Sequence, residues 1–245
     1  MVFNDLVLKD APGIAGIIVT KNYPDALSAT IVDLLRRKYL TVKRIAPLEK
    51  NINNKYYHNY QYLLADKSWV GLMDFEKMLL ELLKKYKGYF VINQEELEQN
   101  VTKDPEFKGF YKKWRESLNK ELEQKGFFKK SFLGLIFSLT EEGRKKFNEY
   151  TSFKNELSLL KNNSLEYNNL DKWENYLCYS ISFGSLNYAE KIWQLMDELF
   201  LSNKTISNIF IEGIKGNDAF FEDFNFFAPI DFGIVFRDFL VYRSK

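Results

Sequence analysis

From residue 24 the apolar positions recur at steps of three and four. Leu27, Ile31, Leu34 and Leu35 share one face, which predicts a helix over residues 24–38 buried along that face. Pro24 suits its first turn, where a missing N–H costs nothing. The period then changes to two: Leu40, Val42 and Arg44 begin a strand, and residues 56–64 form a second, tyrosine-rich stretch. Residues 49–55, with Asn51, Asn53 and Asn54, make the polar loop between them. A helix followed by such a strand pair predicts a wing.

The same order returns downstream. Asp74 is placed to cap a helix carrying Phe75, Met78, Leu79, Leu82, Leu83 and Tyr86 on one face, with Gly88 near its end. Phe90, Val91 and Ile92 predict a short strand, and residues 93–100 a helix begun by Asn93. Asp104-Pro105 opens another, striped by Phe107, Phe110, Tyr111, Trp114, Leu118 and Leu122 and stopped by Gly126. Residues 127–130 and 135–139 are its wing strands.

Beyond Thr140 the pattern is helical. Phe147, Tyr150, Phe153, Leu157 and Leu160 form a stripe that must bury against something. Trp173, Tyr176, Leu177 and Ile181 form a second face ending at Gly184, and Tyr188, Ile192, Leu195, Met196 and Leu199 a third. The last stretch is dense in aromatics: Phe220, Phe221, Phe224, Phe226, Phe227, Phe232, Phe236 and Phe239. Large aromatics favour burial, so this tail either fills grooves between helices or forms an adhesive surface.

The expected fold class is therefore mainly α with small β hairpins: two winged-helix-like units followed by a C-terminal helical region. The expected divisions are residues 1–70, 71–139, 140–204 and the aromatic-rich 205–245.

Composition narrows the chemistry. With 35 basic and 33 acidic side chains the formal charge is +2, so no global field draws in nucleic acid or an anionic membrane. The single cysteine, Cys178, excludes an internal disulfide framework and makes a reducing compartment the simplest reading. Apolar runs such as residues 14–19 and 132–138 fall short of the roughly 18–20 residues a spanning helix needs.

Three motifs point to one family. Residues 176–184 read Tyr-Leu-Cys-Tyr-Ser-Ile-Ser-Phe-Gly, preceded by Trp173 and Glu174. Ala11-Pro12-Gly13-Ile14-Ala15-Gly16 is followed by Ala29-Thr30-Ile31-Val32-Asp33-Leu34 and then Lys38-Tyr39-Leu40; Leu139-Thr140-Glu141-Glu142-Gly143-Arg144 comes later. Together they resemble the cytoplasmic part of the predicted membrane proteins grouped as domain of unknown function 2207, from about residue 10 to about residue 200. The family pattern often has glycine before the tyrosine, where this chain has Lys38. The resemblance implies an extracytoplasmic domain, a span, a cytoplasmic part, two further spans and a glycine-rich tail. This stretch holds only the cytoplasmic part, and the paired spans would fall near residues 132–138. The expectation is a soluble piece of a membrane-anchored parent whose spans were removed or lost. Trp173, Tyr176, Leu177, Tyr179, Ile181 and Gly184, the signature positions, are expected to be structural.

No catalytic constellation is legible. One histidine, His58, and one cysteine cannot build a conventional zinc site. His58 sits in the tyrosine-rich wing, and Cys178 lies among apolar residues at a helical position, which predicts a buried, inert thiol. Glu95, Glu96 and Glu98, or Glu121 and Glu123, are acids of a helix surface, whereas carboxylate catalysis needs two carboxyls facing across a cleft. Neither a phosphate-binding loop nor a dinucleotide fingerprint occurs, and Gly13-Ile14-Ala15-Gly16 is better suited to close helix packing. No cofactor or metal is expected.

Nucleic acid is the specific alternative a winged helix raises. The first recognition helix, however, starts Pro24-Asp25-Ala26, with an acid where a base-reading residue would help. In the second unit Lys108, Lys112, Lys113 and Arg115 are interrupted by Glu106 and Glu116. The expected role is protein–protein interaction or scaffolding at the inner membrane face, with an unidentified protein partner. The alternatives are a nucleic-acid-binding winged-helix protein and an enzyme with an unrecognised carboxylate site.

Overall fold

The computed structural model describes residues 9–45, 59–85, 105, 109–130, 137–159, 170–185, 187–189, 191–192, 237 and 241. Its helices are α1 (Pro12–Thr20), α2 (Tyr23–Arg36), α3 (Asp74–Lys85), α4 (Phe110–Gln124), α5 (Glu141–Ser158) and α6 (Leu170–Ser182). Strand β1 (Leu40–Ile45) pairs antiparallel with β2 (Asn59–Leu64), with Leu40 opposite Leu64, and β3 (Phe128–Lys130) pairs antiparallel with β4 (Phe137–Leu139). The chain is mainly helical with small antiparallel pairs, as its periodicities predict. The strand and helix expected at residues 90–100 lie outside the described residues.

Local chemistry sets the helix ends. Asn22 caps α2 by accepting from the Asp25 N–H at 3.3 Å, and Pro24 occupies the first turn. At the other end Lys38 is left-handed, and the Tyr39 N–H reaches the Leu34 carbonyl at 2.9 Å. Thr140 caps α5, accepting from the Gly143 N–H at 3.0 Å.

Three local expectations change. Asp74 is already the first residue of α3; it is Glu76 that reaches back, accepting from the Met73 N–H at 2.8 Å as the acid of a capping box does. Helix α4 begins at Phe110, because Gly109 at φ 79° is left-handed and no helix from Pro105 can pass through it. The periodicity also passed over α1. Its residues Pro12 to Ile18 are buried on every side, so no polar face marks the helical period.

Helices α1, α2 and α6 pack on one another, α5 lies against α1 and α6, and α3 packs on α4. The buried side chains form one hydrophobic cluster running from Ile14 to Ile192 and including Val241. In its α3–α4 part the Phe75 and Trp114 rings meet edge to face at 6.2 Å.

Candidate functional site

Helix α6 carries the sequence signature, and its side chains turn inward. Trp173, Tyr176, Leu177, Tyr179 and Ile181 are all buried, as is Cys178. Phe153 of α5 fills the centre of their aromatic group, 5.2 Å from the Tyr176 ring and 5.7 Å from that of Tyr179. The helix ends at Gly184, which adopts φ 67° while the Ser185 N–H returns to the Ser180 carbonyl at 2.9 Å. Lys154 of α5 donates to the Phe183 carbonyl at 3.1 Å, satisfying another oxygen of that terminus.

The opening motif is the receptor for this helix. A Cβ on Gly16 would lie 2.7 Å from the Ser182 carbonyl oxygen, so only glycine lets α1 and α6 approach this closely. A Cβ on Gly13 would stand 2.5 Å from the Thr30 hydroxyl of α2. The close-packing reading of Gly13 and Gly16 is thereby given its two partners. The third motif works alike: a Cβ on Gly143 would fall on the Phe127 carbonyl oxygen, and the Thr140 hydroxyl donates to the Gly126 carbonyl at 2.5 Å.

Two polar centres adjoin the signature. At the first, Asp10 precedes α1 and accepts from the Tyr150 hydroxyl at 2.6 Å, while Lys125 and Lys146 approach its carboxylate at 3.3 and 4.0 Å. The Tyr179 hydroxyl donates to the Asp10 carbonyl oxygen. At the second, buried Asp33 takes Arg36 and Arg37 at 2.9 Å each, and Arg37 continues to buried Glu76 of α3.

Burial dominates the protonation behaviour there. It raises Glu76, opposed by the Arg37 charge. It likewise raises the Cys178 thiol, reinforced by Asp33, and the Tyr179 hydroxyl, reinforced by Asp33 and Asp10. Tyr150 is raised by burial and by its bond to Asp10. Cys178 is thus held in the thiol form, which is neither a good nucleophile nor a metal ligand. The carboxylates are engaged by arginine, lysine, tyrosine and backbone, an arrangement suited to bracing helices.

Sequence reasoning passed over both centres. The spacing of Asp33 to Arg36 and Arg37, three and four residues on one helix, signals the second. Nothing local marks Asp10, whose partners lie more than a hundred residues away. Glu121 and Glu123 do not face one another across a cleft, and Glu123 pairs with Lys130 at 3.2 Å. His58, Glu95, Glu96 and Glu98 lie outside the described residues. Among the described residues no cluster of His, Cys, Asp and Glu could hold a metal, and no helix is long and apolar enough to cross a membrane.

The two helices that precede strand pairs differ in exposure. In α2 every residue from Ala26 to Leu35 is buried. In α4 only Phe110, Trp114, Leu118 and Leu122 are buried, while Lys112, Lys113, Arg115, Glu116 and Lys120 face solvent.

Residues 3–136, more than half of the 245, match the family model described as "Predicted membrane protein (DUF2207) C-terminal domain". The chain belongs to this family. The opening motif lies inside the matched residues; the 139–144 motif and the signature on α6 lie beyond them. Comparison with curated proteins and with solved structures finds no match.

Proposed function

We propose that this member of the DUF2207 family is an interaction or scaffolding module on the cytoplasmic face of a membrane-anchored protein. The observation that supports it best is the burial of α2 and α6. The motif residues of these helices meet other parts of the same chain, so they mark a fold and leave recognition to exposed faces. The order helix, helix, strand pair supports two winged-helix-like units, in residues 1–70 and 71–139, with α2 and α4 in the recognition-helix positions. An enzymatic role finds no support in Asp33, Glu76 or Asp10, whose carboxylates brace neighbouring helices.

The alternative of nucleic-acid binding rests on α4 alone. A recognition helix must present a face to the groove, and α2 is buried along its whole middle, from Ala26 to Leu35. The exposed Lys112, Lys113, Arg115 and Lys120 favour contact with phosphates, although Glu116 stands among them. Photo-cross-linking from position 113 or 120 in the membrane-inserted parent tests the proposal. Adducts to a protein are expected. Adducts to nucleic acid alone, with a salt-resistant and sequence-dependent gel shift, would replace it by the alternative.

A further inference from the structure

The link between β2 and α3 holds an aliphatic side chain out in solvent. Val70 is 88% exposed, against 60% for Leu159, the other large aliphatic side chain left open among the described residues. Local chemistry fixes its place. The Leu72 N–H returns to the Trp69 carbonyl at 3.1 Å and Gly71 stands at φ 87°, so residues 69–72 form a β-turn of the type that needs glycine at its third position. The Val70 N–H donates to the Ser68 hydroxyl at 3.3 Å, and on the other side the chain enters α3 through the contact of Glu76 with the Met73 N–H. Valine thus occupies the corner of a turn held on both sides, where proline or a polar residue is more usual.

A lone exposed aliphatic residue needs no explanation, but this one has company. Trp69, beside it in the turn, is half-buried against the core cluster, and the Lys84 ammonium lies 5.8 Å from its ring centre. Lys67 is exposed on the near side, 4.4 Å from the Tyr39 ring centre and donating to the Arg37 carbonyl. Asp66 is exposed too, and Asp74 pairs with Lys77 at 3.5 Å, so the tip carries little net charge. An aliphatic corner, an indole and lysines set behind them match the interface of a bilayer, where tryptophan lies at headgroup depth and lysine keeps its ammonium in water. The family is described as a predicted membrane protein, so a bilayer is part of the parent's surroundings.

We propose that the Trp69–Val70 tip inserts into the interfacial layer of that bilayer, a step that rests on the membrane-anchored reading above. In an anchored parent the contact is intramolecular, which lets so small a tip suffice. It would fix which side of the domain faces the lipid. Because the insertion is apolar, it takes place on zwitterionic and anionic lipid alike.

Vesicles test the tip. The full chain is tethered by a histidine tag, at its first and its last residue in turn, to nickel-chelating lipid in phosphatidylcholine vesicles. An environment-sensitive fluorophore is placed on Val70→Cys, buried Cys178 remaining unlabelled. Nitroxide-bearing lipid is expected to quench it at least about two-fold more than the same fluorophore on Ser152→Cys, exposed on α5. Flotation of the untethered, unlabelled chain gives a second reading. Val70→Trp is expected to partition about ten-fold more strongly than Val70→Asp, with neither changing the thermal midpoint. Equal quenching at positions 70 and 152 with both tethers overturns the insertion. Binding confined to vesicles of equal parts phosphatidylcholine and phosphatidylserine, and indifferent to residue 70, overturns it in favour of headgroup attraction by lysines. A wild-type dimer that Val70→Asp dissociates overturns it in favour of a second copy. Each of these outcomes leaves the anchoring of the parent standing. A parent extracted from membranes without detergent overturns that reading instead, and this one with it.

Discussion

Lys38 closes α2 at φ 59°, a conformation that glycine adopts without strain and a side chain does not. The family pattern's frequent glycine before the tyrosine falls on this residue, so the departure visible in the sequence has a conformational cost. Lys38→Gly is expected to stabilise the chain by about 0.5–1 kcal/mol, read from the urea midpoint at unchanged slope. The opposite holds at Gly143, where any Cβ meets the Phe127 carbonyl. Gly143→Ala should cost about 1–3 kcal/mol through forced displacement of α5, whereas alanine at neighbouring exposed Glu142 should change little. Leu177 is fully buried between helices, and Leu177→Ala should lower stability by about 2–5 kcal/mol. A thermal midpoint unchanged by that substitution would contradict its place in the core.

At the scale of elements, the readable helices were those with two unlike faces. The α4 stripe of Phe110, Trp114, Leu118 and Leu122 and the α5 stripe of Tyr150, Phe153 and Leu157 bury as their spacing predicts. Helix α1 gave no period because it has no polar face, and α2 looked one-sided although packing covers Ala26 to Leu35 on every side. The link between α2 and α3 was illegible for a different reason: Arg37 and Glu76 belong to separate helices, and only the fold brings them together. That link carries a pH dependence. Burial raises Glu76 above its usual 4.5, so the folded state holds this proton more tightly than the unfolded chain. The unfavourable contribution is absent below the unfolded value and grows as pH rises through the folded one. Glu76→Gln, which keeps an acceptor for the Met73 N–H, should therefore gain stability relative to the wild type as pH rises above 4.5. Parallel stability curves for the two proteins across that range would mean that Arg37 fully compensates the burial.

At the scale of the molecule, the family-matched residues and the core do not coincide. The match ends at residue 136, yet α6, from Leu170 to Ser182, closes the groove between α1 and α2. The signature was legible as a recurring string, but its receptor was not, because Gly16 and Asp10 are separated from α6 by more than 150 residues. A fragment of residues 1–139 would keep both strand pairs and lose α5 and α6, which pack on α1, and α6's packing on α2. Removing Trp173, Tyr176, Leu177 and Ile181 strips several large side chains from a shared core, each contributing about 1.5–3 kcal/mol by burial. Whole domains of this size are stable by only about 5–15 kcal/mol, so the loss is comparable to the total. The fragment is accordingly expected to show helical circular dichroism without a cooperative thermal transition. Adding residues 140–204 as a separate polypeptide should restore the transition in proportion to its concentration, as binding to the folded state requires. A cooperative transition for residues 1–139 alone, at the temperature of the full chain, would make α6 an accessory to a self-sufficient N-terminal domain.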